Sequence, residues 1–112
     1  MNWKEINKKY PNAVDVLCDW LNIIKTPDAK KNIGLMQISE LFHTTRRLYD
    51  FFDKEDIYIS VYLKDYISHN VWWTDICAFG RPIALKTLNS RSAAEKQAFL
   101  KAFEILEEKL NS

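Results

Sequence analysis

Near residue 56 the hydrophobic rhythm of this chain changes, and the change limits what it can fold into more than any motif does. From Leu35 to Asp53 the apolar-face positions Ile38, Leu41, Phe42, Thr45, Leu48, Tyr49 and Phe52 recur three and four apart, the spacing of one helical face. From Ile57 the period becomes two: Ile57, Ile59, Val61 and Leu63 alternate with Tyr58, Ser60, Tyr62 and Lys64, the signature of a strand with one buried face. A chain holding both periods in succession must pack helix on sheet.

The flanks extend this reading. Trp3, Ile6 and Tyr10 recur at helical spacing, and Pro11 suits the first position of a further helix with Val14, Leu17, Cys18, Leu21 and Ile24 on one face, so the segment is either two abutting helices or one helix kinked at Pro11. Residues 26–34 read as the one linker-like stretch, and the helix over 35–53 carries a possible break at His43 and Thr44. After a polar connection over 65–70, residues 71–79 are rich in β-formers, Gly80-Arg81-Pro82 reads as a turn, and Ile83 to Leu88 gives a third strand. Ser92-Ala-Ala-Glu95 matches a capping box for a last helix, with Phe99, Ala102, Phe103, Leu106 and Leu110 on one stripe and Lys and Glu opposite. The expectation is one α+β domain over residues 1–112: a three-stranded antiparallel meander flanked by N-terminal helices and a long C-terminal helix.

Composition narrows the function classes. Sixteen Lys and Arg against fifteen Asp and Glu leave a net charge of +1, so no global field draws in a polyanion or an anionic membrane. Met1-Asn-Trp-Lys-Glu-Ile6 lacks the apolar core of a signal peptide, and no run approaches the ~18 apolar residues of a membrane span, which predicts a cytoplasmic protein. In that reducing compartment Cys18 and Cys77 are expected as semi-buried thiols without a disulfide.

Residues able to carry chemistry are few. His69, Asp75 and Cys77 are the only set resembling a nucleophile, base and orienter, and nothing in the sequence supplies an oxyanion hole beside them. His43 and His69 lack a second ligand at metal spacing, and Gly34 and Gly80 form no phosphate-cradling loop. Asp50, Asp53, Glu55 and Asp56 surround the helix-to-strand corner and read as a solvated turn, with divalent-cation binding as the alternative. No catalytic, cofactor or metal site and no small-molecule ligand is expected.

The aromatic residues stand out. Ten of fifteen lie between Phe42 and Phe79. With Ile57, Ile59, Val61 and Leu63 toward the helices, Tyr58 and Tyr62 face the other way, joined by Trp72 or Trp73. Two outcomes remain open: the N-terminal helices with Trp3, Tyr10 and Trp20 close over that face, making an α/β/α sandwich, or the face is offered to a partner.

Two resemblances bear on function. Ile38 to Phe52, followed by Asp53-Lys-Glu-Asp-Ile57, resembles the helix-turn-helix of TetR-type repressors, which implies a recognition helix over residues 44–52 with Thr45, Arg46, Arg47 and Tyr49 toward DNA. Here His43 replaces the turn glycine, one residue fewer separates Ile38 from Leu48, and residues 35–56 carry three basic and five acidic groups. The stretch Asn89 to Leu110, with Arg47-Leu-Tyr-Asp-Phe-Phe52, looks like small proteins carried by bacteriophages and mobile elements of gut bacteria, which implies an accessory protein. The expectation is a non-enzymatic protein-interaction module, with a homodimer as one form, contacting its partner through Tyr58, Tyr62, Trp72 and Trp73. The alternative is a DNA-binding accessory regulator using residues 44–52.

Overall fold

The computed structural model describes residues 3–20, 45–63 and 71–112. These form four helices and a three-stranded antiparallel sheet in the order α1 (Trp3–Lys9), α2 (Pro11–Trp20), α3 (Thr45–Lys54), β1 (Ile57–Leu63), β2 (Trp72–Ala78), β3 (Arg81–Ala84) and α4 (Arg91–Leu110). The fold is α+β, with the strands in the meander order β1-β2-β3. The expected contributions of Leu21, Ile24, the 26–34 linker and the helix before residue 45 lie outside the described residues. No described helix is long and apolar enough to cross a membrane.

Pro11 separates α1 from α2 without breaking their contact. It has no N–H to lose at a helix start, while the Tyr10 amide donates to the Ile6 carbonyl at 2.8 Å and Val14 to Tyr10 at 3.0 Å. α2 then buries Ala13, Val14, Leu17 and Cys18.

On α3 the adjacent pair Phe51 and Phe52 is buried on both counts, because the helix packs between neighbours. Phe51 meets Trp20 of α2 at 5.8 Å between ring centroids, and Phe52 meets Phe103 of α4 edge-on at 5.0 Å. Tyr49 packs on Phe99 in the same edge-on way at 5.1 Å, a geometry favoured by the ring quadrupole. α3 stops where Asp56 adopts a left-handed conformation, φ 63°, which turns the chain into β1.

The hairpin between β2 and β3 is tighter than the sequence suggests. Its two-residue loop is Phe79-Gly80, both at positive φ (54° and 80°), as a type I′ turn requires, and β3 starts at Arg81 rather than Ile83. Pro82 is therefore a strand residue. The expected third strand ends at Ala84, and Leu88 keeps only an isolated bridge to Trp72, with mutual amide-carbonyl bonds of 2.9 and 3.1 Å.

The capping of α4 also differs from the Ser92–Glu95 expectation. Ser90 is the N-cap and its Oγ accepts from the Ala93 amide at 3.1 Å, leaving Ser92 inside the first turn. Glu95 instead meets Arg91 at 3.5 Å and accepts a bond from Tyr49. The buried stripe of α4 holds Ala94, Ala98, Phe99, Ala102, Phe103 and Leu106 as expected, whereas Leu110 is exposed.

Glu107 departs furthest from expectation. It is 7% exposed, and its carboxylate accepts from the amides of Asn12 at 3.2 Å and Ala13 at 2.7 Å. A side chain of α4 thus caps α2, supplying negative charge where the α2 amides lack intrahelical acceptors. Beside it, Asn12 Nδ2 donates to Asn111 Oδ1 at 2.7 Å.

Candidate functional site

The register between strands decides which side chains share a surface. Tyr58 lies opposite Cys77, Ser60 opposite Asp75 and Tyr62 opposite Trp73, while Cys77 and Asp75 pair with Pro82 and Ala84 of β3. Paired residues share a face. One face thus carries Tyr58, Ser60, Tyr62, Trp73, Asp75 and Cys77; the other carries the buried Thr74 together with Ile57, Ile76 and Ala78, which share the core with Phe99 and Phe103.

The described helices gather on that second side. α3 and α4 pack on β1 and β2, and α2 packs on α4 rather than across the sheet. The described part of the N-terminal helices therefore does not close over the aromatic face. Tyr58 is 50% exposed, Ser60, Asp75 and Cys77 are exposed, and Tyr62 and Trp73 are half-buried. Trp72 belongs to the helix side, where the Arg91 guanidinium lies 6.0 Å from its ring centroid, so the structure joins Trp73, not Trp72, to Tyr58 and Tyr62.

A polar contact ties the two strands together on this face. Tyr62 Oη donates to Asp75 Oδ2 at 2.8 Å, diagonally across the two strands. That bond, aided by some desolvation and the carboxylate's charge, holds the Tyr62 hydroxyl above its ordinary pKa. The sequence signal for the Tyr62–Asp75 pair was register, which a lone strand pattern does not contain. Cys77 is exposed on this face instead of semi-buried, and Cys18 is fully buried; neither is in a disulfide.

Asp75 and Cys77 share a face, while His69, like His43, lies outside the described residues. Among the described residues no group of three His, Cys, Asp or Glu side chains is placed to hold a metal ion. At the acidic corner, desolvation and then the neighbouring Asp50 raise the Asp53 pKa.

On α3, Thr45 opens the helix and Arg46 and Arg47 are exposed. Tyr49 is turned to the core, its hydroxyl donating to Glu95 Oε2 at 3.0 Å, so it does not share a surface with the arginines. On the helix side a shallow groove of about 430 Å³ runs between Tyr10, Leu85 and Leu100, rimmed by Lys96, Lys101 and Glu104. No protein-family model, curated protein or solved structure matches this chain.

Proposed function

We propose that this chain is a non-enzymatic protein-interaction module whose contact surface is the sheet face carrying Tyr58, Tyr62 and Trp73. The carrying observation is a half-exposed Tyr58 on the sheet face opposite the side on which α3 and α4 pack. Tyrosine and tryptophan present large, rigid, amphipathic area at low entropic cost, which is why they dominate binding hot spots. The net charge of +1 supplies no long-range steering, so recognition rests on contact with another polypeptide. The resemblance to phage and mobile-element proteins fits an accessory role in the cytoplasm.

Among the described side chains of residues 44–52, Arg46 and Arg47 are exposed in support of DNA binding, whereas Tyr49 is engaged with Glu95. A photoreactive phenylalanine analogue at position 58, compared with one at Lys96 on the helix side, tests the proposal in cells. Discrete protein adducts from position 58 and none in common with position 96 are expected. Equal, diffuse labelling from the two positions would sink the reading.

A further inference from the structure

The two outer strands of the sheet differ in how they are protected. β3 is four residues long and carries Pro82. The Leu85 amide bonds the Thr74 carbonyl at 3.0 Å, so by alternation the Cys77–Pro82 pair lies between ladder bonds and Pro82 occupies an outward-facing backbone position where its missing N–H blunts the edge. β1 is seven residues long, Ile-Tyr-Ile-Ser-Val-Tyr-Leu, without proline, glycine or charge. Natural edge strands are normally interrupted by such residues. Among the described residues no strand pairs with the outer edge of β1.

The sequence of β1 is nearly a palindrome centred on Ser60. Antiparallel to a second copy about a two-fold axis there, Ile57 meets Leu63, Tyr58 meets Tyr62 and Ile59 meets Val61, each opposite its own kind. The backbone phase agrees. The Phe79 amide bonds the Asp56 carbonyl at 3.1 Å, so Tyr58, Ser60 and Tyr62 bond inward to β2, and the N–H and C=O groups of Ile57, Ile59, Val61 and Leu63 point outward. In this register every outward residue lies opposite another outward residue.

The side chains agree as well. Ile59, Val61 and Leu63 are only half-buried although they project to the helix side, whereas Thr74 and Ile76 on the central strand are buried. A second β1 would cover that apolar row and bring no charge against charge.

We infer that the outer edge of β1 is a self-association site, joining two copies into a continuous six-stranded sheet with one aromatic face. This names the partner of the interaction reading, on which it rests for the use of that face, as a second copy of the chain. A seam of seven residues a side is smaller than the ~20–30 of a standard interface, so association in the micromolar range is expected.

Sedimentation velocity from ~1 to ~300 μM tests it, a range chosen to bracket micromolar affinity. The expected mass rises from 13.2 kDa toward twice that value. Ser60→Lys places two ammonium groups face to face on the axis and should hold the chain at monomer mass; Ser60 is exposed and lies opposite Asp75, so the monomer tolerates it. In a Cys77→Ser background, Ser60→Cys should oxidise to a disulfide dimer at least tenfold faster than Ser92→Cys, because facing residues between ladder bonds lie about 4.5 Å apart at Cα. A mass fixed at 13.2 kDa throughout, a dimer indifferent to Ser60→Lys, or equal oxidation at positions 60 and 92 would each overturn the pairing. Adducts from position 58 to other proteins would survive such a result, so the two readings fail separately.

Discussion

Glu107 shows how much a single side chain settles here. Charged residues on a C-terminal helix normally face water, yet this carboxylate is buried and holds two amides of a helix 94 and 95 positions away in sequence. Hydrogen bonds to an ionised acceptor contribute ~1.5–3 kcal/mol and orphaned buried amides add a penalty, so Glu107→Ala should cost about 3 kcal/mol, with Glu107→Gln, which keeps one acceptor, costing about half. Urea denaturation at neutral pH would show this as a lower midpoint at unchanged slope. Thr74 is the converse case: its hydroxyl is buried on the helix side of β2 and has no hydrogen-bond partner among the described residues. Thr74→Val, nearly isosteric, is expected to stabilise by about 1 kcal/mol in the same titration, because it removes an unsatisfied polar group.

At the scale of elements, what was legible in the sequence was what local pattern encodes. The alternation from Ile57 marked β1 and its start, and the Phe99, Phe103 and Leu106 stripe marked the buried side of α4, because each depends only on the period of its own backbone. The errors arose where two local solutions competed. Ser90 and Ser92 both suit an N-cap, and Glu95 was read as the answering residue of a box although it serves Tyr49 and Arg91. Gly80-Arg81-Pro82 looked like a turn, but with Gly80 at φ 80° the two-residue loop needs its predecessor, Phe79, in the left-handed region, and no preference of phenylalanine announces that. A Cβ on Gly80 would meet nothing within 4 Å, so Gly80→Ala isolates the backbone term and should cost about 1–2 kcal/mol, read as a drop in melting temperature. The candidate face was half legible: parity put Tyr58 and Tyr62 together, whereas the choice of Trp73 over Trp72 and the approach of Asp75 needed the register.

At the scale of the whole molecule, the polar link between Tyr49 of α3 and Glu95 of α4 titrates. Burial, then the bond to Glu95 and its charge, raise the Tyr49 pKa above its ordinary 10.0, against a smaller opposing effect of Arg91. The folded state thus favours the neutral phenol. Its contribution is complete below pH 10.0 and is lost as pH climbs from there toward the folded value. Tyr49→Phe should therefore be less stable than the native chain at pH 7 by about 1 kcal/mol and lose less stability than it does above pH 10. Paired denaturation curves at the two pH values measure this, and equal losses would show that Tyr49 is not the coupling group.

The contact between Glu107 and the start of α2 also orders events in time. During synthesis α2 leaves the ribosome long before residues 107 and 111, so its first turn must wait, uncapped, for the last turns of α4. Contacts that span nearly the whole chain close late and slowly, because their loop entropy is lost before any compensating interaction forms. A nascent chain stalled before residue 107 would therefore hold α2 without the carboxylate that receives its Asn12 and Ala13 amides.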